Sequence, residues 1–296
     1  MSDDIRITIG VCAYNEGGNI EKCVRSIFEQ EFDGFILDKV IVVSSASTDD
    51  TDDIVRSLMK EYDKLTLVVQ ERREGKNSAI NRLLDEKETE IVVMVNADNI
   101  LARSNTIQKM VEPFLDKEVG IVGGHPIVLN DRNNLPDFAS NLIWTLHHHI
   151  ALTLPKIGEL IAFRDVGTRL PVQNQSDEDL LRVGVENAGL RAQYAPDALT
   201  NIRGPETIHD LILQRYRVNI GQSYMISDRD YYNPSRDPKI LFKVLSDTMK
   251  DLGYHPFKLV ISVMIEVGCR IAASIYVKKG KKDLSAWTPV STTKKL

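Results

Sequence analysis

The carboxylate of Asp98 closely follows a run of five apolar residues, Ile91 to Val95, in the segment IVVMVNADN. An apolar run that ends abruptly in polar residues is typical of a strand buried on both faces. Ligands bind at the carboxyl ends of strands in open α/β sheets, and a carboxylate there can hold a divalent cation against the oxygens of a diphosphate. The segment therefore predicts a nucleotide-diphosphate site, with a surface Asx turn that closes the strand as the alternative.

Three other apolar runs in about the first 115 residues also lead into polar loops and then into helical spacing. Four such strand-helix units predict an α/β fold with a doubly wound, parallel sheet flanked by helices. No GxGxxG follows the first strand and the chain has no Walker A loop, which excludes the standard dinucleotide and P-loop folds. Strands are predicted over 5–14, 39–43, 65–69 and 91–95, and the loops that would meet at the ligand edge are 14–19, 44–49, 71–76 and 96–99.

Charge, cysteine content and the N-terminal residues indicate the class of ligand and the compartment of the protein. A net charge of −5 over 296 residues argues against a nucleic-acid binder, which normally carries a basic excess. The cysteines Cys12, Cys23 and Cys269 lack metal-like spacing and fit a reducing compartment, most simply as small buried hydrophobes. The acidic start MSDDIRITIG shows no signal peptide, so we expect a cytoplasmic protein.

After Gly120 the simple alternation stops, and we expect the second half to extend the same sheet and to build the acceptor side of a cleft. Three consecutive histidines, His147 to His149, lie in a predicted helix, where neighbours point about 100° apart and cannot converge on one ion. They are predicted on the helix surface, with His147 or His149 facing a cleft that Lys156, Gly158, Glu159 and Arg164 would also line. The predicted elements are strand, glycine pair and strand in IVGGHPIVLN, a helix over 135–152, a strand over 158–163, a helix over 177–188 and a short strand over 191–194 ended by Pro196.

Several polar motifs follow one another in a fixed order, which is more specific than any one of them. In this order the chain resembles the family 2 glycosyltransferases of the GT-A fold over about residues 5 to 222. The motifs are VCAYNE, VVSSASTDDT, REGKNSAIN, VNADN, SDEDLLRVGVENAGLRAQYAPDA and LQRYRVNIG.

The resemblance implies that Tyr14, Asn15 and Glu16 line a nucleoside pocket. After the second strand the family usually has paired aspartates, one of which reads the nucleobase, but this chain has Ser44 and Ser45. Ser45 is a candidate for donor binding, and the sequence does not specify the nucleobase or the sugar of the donor.

The resemblance also implies a diphosphate and metal site. Arg73 and Lys76 would lie near the base or the phosphates, with solvated loop charges as the alternative. The family's DxD is Asn96-Ala97-Asp98 here, so Asp98 would bind Mg²⁺ or Mn²⁺ and Asn96 would hydrogen-bond a ribose hydroxyl. Because Ser44, Ser45 and Asn96 stand where the family usually has aspartates, a weakened or inactive enzyme is an alternative.

The acidic motif implies a general base that deprotonates the acceptor in an inverting transfer. The family's Glu-Asp pair falls on Glu178-Asp179, so Asp179 is the candidate and Asp177 a nearby competitor. The alternative is an acidic first turn favoured by the helix dipole.

Gln214 and Arg217 have the spacing of the family's QxxRW motif and could close over the diphosphate or the acceptor sugar. The tryptophan is Val218 here, and Tyr216 could partly replace it as a stacking surface. A plain amphipathic helix with solvated cations is the alternative.

The C-terminal segment predicts two helices, an amphipathic one over 239–252 and an apolar one over 259–277 that contains Glu266 and Arg270. Glu266 and Arg270 are four residues apart and can pair on one face. The second helix could pack in a core, lie on a membrane or span it, and the lysines that follow favour docking to an anionic leaflet.

Together these observations imply a metal-dependent, inverting glycosyltransferase that uses a nucleotide-sugar donor and a lipid-linked or otherwise membrane-borne acceptor, with a hydroxyl or phosphate as the accepting group, at the cytoplasmic face of a membrane. The glycosyltransferase domain would span 1–222, with a nucleotide-binding half over about 1–125 and an acceptor half over about 126–222, followed by a helical segment with a basic tail over 223–296. A sugar-phosphate nucleotidyltransferase and a catalytically silent sugar-nucleotide scaffold are the alternatives, and the sequence does not indicate an oligomeric state.

Overall fold

The computed structural model describes residues 5–172, 176–229 and 231–280. Lys281, Lys282, Lys294 and Lys295 of the predicted basic tail lie outside the described residues. In chain order the strands are β1 Ile5–Ala13, β2 Phe35–Ser44, β3 Leu65–Val69, β4 Ile91–Asn96, β5 Ile100–Leu101, β6 Val119–Val128, β7 Ile161–Arg164 and β8 Arg191–Ile202. The helices are α1 Ile20–Phe28, α2 Thr51–Leu58, α3 Lys76–Glu86, α4 Thr106–Val111, α5 Leu135–Ala151, α6 Asp177–Asn187, α7 Ile208–Arg229, α8 Pro238–Leu252 and α9 Pro256–Lys278, with 3-10 turns at Glu112–Leu115 and Pro234–Arg236.

The strands form one sheet in the order β3-β2-β1-β4-β7-β6-β8-β5. The pairs among β3, β2, β1 and β4 are parallel, as predicted, and helices cover both faces. Ile7, Ile9 and Val11 of β1 pack on one face with α1 and α2, whereas Val92 and Met94 of β4 pack on the other with α3. Burial of both faces explains the continuous apolar runs in the sequence.

The first loops converge because the parallel strands end in register. Ala13 lies opposite Ser44, and Cys12 lies opposite Asn96. The loops that follow β1, β2 and β4 therefore leave the sheet at one edge.

The second half departs from the simple parallel pattern. β7 is antiparallel to both of its neighbours, β4 and β6. β6 is one continuous strand and not two, and β8 runs past Pro196 to Ile202, so the predicted end at Tyr194 is wrong. The pairing of β6 with β8 jumps from Gly123–Tyr194 to His125–Leu199, and Pro196 falls in that irregularity, where it has no ladder bond to donate.

The C-terminal helices pack on the glycosyltransferase-like core, α8 against α5 and α9 against α7. Glu266 and Arg270 form the predicted ion pair, at 2.8 Å, on the face of α9 that meets α7. The opposite side is apolar and at least 40% exposed at Phe257, Val260, Ile261, Met264, Ile271 and Ile275, and the exposure continues round the helix at Val263 and Val267. In the part of the chain that the structure describes, α9 is the one helix long and apolar enough to cross a membrane, and 17% of its most apolar window is buried.

Candidate active site

The loop after β1 is held by the loop after β2. Asn15 has a left-handed backbone with φ of 52°, a conformation that asparagine tolerates well. Its side-chain oxygen accepts a hydrogen bond from Thr48 N at 2.7 Å, and its own N–H donates to Ser47 Oγ at 3.1 Å. Glu16 N donates to Thr51 Oγ1 at 2.8 Å. Asn15 and Glu16 thus lie in a firmly tied turn at the sheet edge.

Two of the predicted nucleoside-pocket residues come together in space. The guanidinium carbon of Arg73 lies 3.9 Å from the centroid of the Tyr14 ring. A cation over an aromatic face at this distance is attracted by the ring quadrupole and forms a flat platform. Nearby, Ser45 is buried, and among the described residues its hydroxyl has no hydrogen-bond partner.

Asn96 and Asp98 of the DxD-like triplet lie near an additional carboxylate, Glu159. Asn96 Nδ2 donates to Glu159 Oε2 at 2.6 Å, and Glu159 has a positive φ of 56°, a strained backbone for a residue other than glycine. Burial, followed by the nearby charge of Asp98, raises the pKa of Glu159. Asp98 and Glu159 therefore form a pair of like charges, and a bound cation would reduce the repulsion between them.

The acidic motif at the start of α6 spreads its three carboxylates over different partners. Asp177 pairs with Lys76 at 2.7 Å, so the predicted base competitor is engaged by a predicted donor-site cation. Glu178 Oε1 accepts from Glu159 N at 3.0 Å, and Asp179 Oδ1 accepts from the Tyr231 hydroxyl at 2.8 Å.

The electrostatics of these groups differ. Burial, and then the neighbouring Asp177, raise the pKa of Glu178 to about 8. Burial also raises the pKa of Asp179, against the opposing effects of the Tyr231 hydroxyl and Lys156. For Lys76, burial disfavours the charge, but Asp177 and Glu178 outweigh it and the pKa is raised. The site thus contains three carboxyl groups with raised pKa values, Glu159, Glu178 and Asp179, a property common at catalytic centres.

A cavity of about 370 Å³ connects the two acidic regions. It contains Asp98, Asp179, Gln214 and Arg217 of the predicted site residues, which come from the loop after β4 and from α6 and α7. The others do not line it: Lys76 begins α3, Asn96 ends β4, and the rest lie in the neighbouring loops, namely Tyr14, Asn15, Glu16, Ser45 and Arg73.

Some predictions about the cleft are wrong. His147 lines the cavity together with Trp144, as predicted, but it is 4% exposed and therefore buried, not on the helix surface. It is buried because α5 is covered by the sheet and the C-terminal helices. Lys156, Gly158 and Glu159 line the cavity as predicted, but Arg164 does not, because its guanidinium binds Glu90 and two backbone carbonyl groups.

Other residues that shape the site carry no recognisable sequence signal. Tyr231 binds Asp179, although it lies 52 positions away and belongs to no motif. Arg215, Ser235 and Arg270 line the cavity too. No local spacing signals these contacts, since each joins distant parts of the chain.

The donor set fits a divalent cation that is shared with a substrate. Over the described ranges no cluster of three or more His, Cys, Asp or Glu residues forms a complete cage. Mg²⁺ is usually held by one or two carboxylates together with substrate phosphates and waters. Asp98 and the adjacent Glu159 provide oxygen ligands of that kind.

A family model described as glycosyl transferase family 2 matches residues 8–170 of the chain. The chain belongs to this family. The predicted resemblance is thereby confirmed, although the acidic motif at 177–179 and the QxxR-like motif lie beyond the matched region. The Asp98 segment lies inside it.

Curated members of the family share modest identity with the chain. The SPbeta prophage-derived glycosyltransferase SunS of Bacillus subtilis is 25% identical over 133 residues, which cover 40% of this chain and 29% of SunS. The poly-beta-1,6-N-acetyl-D-glucosamine synthase of Staphylococcus aureus is 22% identical over 251 residues, which cover 81% of this chain and 60% of that protein. The chain thus spans less than two thirds of the length of these relatives.

Among solved structures, the mannosyltransferase PcManGT from Pyrobaculum calidifontis, in complex with GDP-Man and Mn²⁺, superposes with a TM-score of 0.60. The match covers 97% of this chain and 82% of that one, at 24% identity. The predicted GT-A-like α/β fold, with its mainly parallel sheet and a C-terminal apolar helix, is confirmed.

Proposed function

We propose that the protein is an inverting glycosyltransferase that transfers a sugar from a nucleotide-diphosphate donor to a membrane-borne acceptor. The observation that carries this proposal is the shared cavity, which contains Asp98, at the edge of the nucleotide-binding loops, and Asp179, on α6. In a displacement reaction the donor diphosphate would lie at Asp98 and the acceptor at Asp179, so that the two substrates meet within the cavity.

The donor is assigned to the loops at the strand edge. Tyr14 and Arg73 provide a stacking platform for the nucleobase, and Asn15 and Glu16 shape the turn beside it. Lys76 contributes positive charge near the phosphates, while its pairing with Asp177 fixes its position. PcManGT, of the same fold, was solved with GDP-Man and Mn²⁺.

Asp98 is the proposed metal ligand, with Glu159 close enough to share the charge of the ion. When bound, Mg²⁺ or Mn²⁺ would neutralise the negative charge that develops on the leaving diphosphate. Asn96 holds the Glu159 carboxylate through its side-chain amide, which leaves its carbonyl oxygen for a ribose hydroxyl.

The reaction is a single displacement at the anomeric carbon. The acceptor oxygen forms the new bond on the face opposite the leaving diphosphate, whose bond to the sugar breaks, and the acceptor proton passes to Asp179. Tyr231 donates to Asp179 Oδ1, which leaves Oδ2 to receive the proton. Gln214 and Arg217 lie across the same cavity, where the guanidinium suits bidentate contact with a phosphate.

Glu178 is the competitor for the base role, because it lines the same cavity and its pKa is raised to about 8. A base must be ionised at working pH to accept a proton, and Asp179 has the lower ordinary pKa and a hydroxyl donor that favours its charged form. We therefore assign the proton transfer to Asp179.

The test uses the purified full chain with Mn²⁺ and a panel of sugar nucleotides, with and without a membrane lipid extract. We expect nucleoside diphosphate release that increases with the extract, and a product whose anomeric configuration is opposite to that of the donor by NMR. Pyrophosphate as the product would indicate a nucleotidyltransferase, and binding without turnover would indicate a silent scaffold.

Three variants test the base assignment. Asp179→Asn should lower turnover by on the order of 100-fold or more, because general base catalysis typically contributes 10²–10⁴-fold. Glu178→Gln tests the competitor, and Asp247→Asn is a matched control on the surface of α8, where Asp247 forms an exposed ion pair with Lys250. Near-normal turnover of Asp179→Asn, together with loss in Glu178→Gln, would transfer the base role to Glu178.

Membrane association is proposed to be interfacial, at the cytoplasmic leaflet. One face of α9 is fixed to α7 through the Arg215–Glu266 ion pair, and the opposite apolar face is exposed, which is the arrangement of a helix that lies in the bilayer surface. Met264→Glu combined with Ile271→Glu should abolish flotation with anionic liposomes, since both side chains are more than half exposed. Leu115→Glu, at an exposed apolar site on the 3-10 turn at 112–115, is the control, and flotation equal to wild type in the double variant would rule the proposal out.

A further inference from the structure

Four basic side chains lie in or beside the cavity, and three of them, the arginines, lie near the carboxylate of Glu266. Arg215 and Arg270 each approach Glu266 to 2.8 Å. Arg270 Nη2 also donates to Ser235 O at 3.1 Å, and Lys156 Nζ donates to Ser235 Oγ at 3.3 Å. Arg236, the neighbour of Ser235, is the fourth. We refer to Lys156, Arg215, Arg236 and Arg270 as the basic cluster.

Among the described residues the basic cluster forms ion pairs with one carboxylate, Glu266, while Asp179 and Glu178 act on Lys156 without an ion pair. Burial lowers the pKa of Lys156 to about 8; Asp179 opposes the shift, and Arg215 and Arg270 add to it. Burial and Arg270 lower the pKa of Arg236, whose Nε is buried without a hydrogen-bond partner in the described part of the chain. A group of cations that repel one another in a partly desolvated cavity is stabilised by an anion.

The basic cluster is separate from the cations assigned to the donor. Arg215 and Arg217 are two positions apart on α7, so they point to nearly opposite sides of the helix. Arg215 binds Glu266 of α9, whereas Arg217 lies in the field of Glu159 and Asp98. The donor phosphates therefore have their own arginine, and the basic cluster is left for another ligand.

The cavity continues from the basic cluster along an apolar wall. Val263 and Val267 of α9 line the cavity, yet they are 49% and 47% exposed, so the wall reaches the exposed apolar face of α9. Ser262, beside them, has a buried hydroxyl with no hydrogen-bond partner within the described ranges. Further apolar lining comes from Leu142, Ile143, Leu146, Ile150, Leu211, Val218, Leu241 and Ile265, among others.

We propose that the basic cluster binds the phosphate group of an amphiphilic acceptor, whose apolar chain lies between α5, α7 and α9 and leaves the cavity toward the membrane. Arginine side chains bind phosphate with short, charge-assisted hydrogen bonds, and the apolar wall removes the chain from water. The inference rests on the proposed function and names the acceptor class of that site as an anionic, phosphate-bearing lipid.

The test measures binding without any donor. Trp144 lines the cavity, and Trp287→Phe leaves it as the only tryptophan of the chain. In that background, decyl phosphate, 1-decanol and inorganic phosphate are titrated against Trp144 fluorescence. We expect saturable binding of decyl phosphate, on the order of tenfold or more tighter than either 1-decanol or inorganic phosphate, because each lacks one half of the interaction.

Variants assign the phosphate to the basic cluster. Arg270→Gln and Lys156→Gln should each weaken decyl phosphate by roughly tenfold and leave 1-decanol unchanged. Arg270→Lys should recover part of the affinity, and Lys250→Gln, an exposed lysine of α8, is the matched control. Circular dichroism melting of each variant establishes that the fold is intact.

Four results would overturn the inference: equal affinity for decyl phosphate and 1-decanol, inorganic phosphate binding as tightly as decyl phosphate, no effect of either cluster variant, or competitive displacement of decyl phosphate by GDP or UDP. The last would assign the basic cluster to the donor. Failure of the proposed function has a different signature, the absence of turnover with every sugar nucleotide while decyl phosphate still binds and responds to the variants.

Discussion

The hydroxyl of Tyr231 offers a direct test of the base assignment, because Tyr231→Phe removes one hydrogen bond and retains the ring. The hydroxyl donates to Asp179 Oδ1 at 2.8 Å and stabilises the ionised carboxylate. A hydrogen bond to a charged group is worth about 1.5–3 kcal/mol, and since both side chains are only partly buried and water can replace the hydroxyl, we expect about 1 kcal/mol to be lost. At 1.36 kcal/mol per unit, the pKa of Asp179 should rise by about 0.7 unit.

The sign of the effect follows from the role of a base. Asp179 must be ionised to accept a proton, so a higher pKa moves the acid limb of the kcat/KM profile to higher pH and lowers activity below it. The measurement is a pH profile of nucleoside diphosphate release for wild type and Tyr231→Phe. Tyr232→Phe is the matched control, because its hydroxyl binds Asp237 at an exposed site.

An acid limb that stays in place in a folded Tyr231→Phe protein would refute the assignment of Asp179 to that limb. If the wild-type limb instead lies near the pKa of about 8 expected for Glu178 and disappears in Glu178→Gln, that carboxylate is the base.

Three further predictions concern the donor site and the core. Asp98→Asn should lower kcat/KM with Mn²⁺ on the order of 100-fold or more and weaken the Mn²⁺ dependence of nucleoside diphosphate binding measured by calorimetry. Arg73→Ala should weaken nucleoside diphosphate binding by about 3- to 10-fold through loss of the platform over Tyr14, whereas Arg72→Ala, at an 84% exposed side chain, should not. Phe163→Ala should lower the free energy of unfolding by about 3–5 kcal/mol in urea titrations, because the ring is 2% exposed, and unchanged stability would show that the core relaxes around the gap.

The first half of the fold follows from the sequence because its signals are local. Apolar runs such as Ile91–Val95 mark strands buried on both faces, and the parallel direction of neighbouring strands brings their polar ends together without further information. The end of β8 was mispredicted for an equally specific reason. Pro196 normally stops a strand, but here it occupies an irregularity in the pairing with β6, which the sequence of β8 alone cannot reveal.

The site was predictable where a motif marks it and not where contacts are long-range. Asp98 and Asp179 were found because each lies in a segment with a chemical pattern, and both line one cavity. Glu159 is predicted only as part of the cleft lining and Tyr231 is not predicted at all, since their roles depend on contacts with residues 63 and 52 positions away. His147 faces the cleft as predicted, but its burial is not readable from the helix that carries it, because it depends on α8 and α9, which come about 100 residues later.

The position of β7 has a consequence for how the chain is made. β7 lies between β4 and β6, so during synthesis β4 has one unpaired edge until residues 161–164 have emerged, and β6 has no strand partner at all before then. An exposed edge of this kind attracts other chains, which favours aggregation of partly synthesised or truncated protein. A fragment that ends near residue 125 would therefore carry the loops proposed to bind the nucleotide on a sheet in which β4 has an open edge, and Asp98, the proposed metal ligand, would lack the neighbouring carboxylate of Glu159.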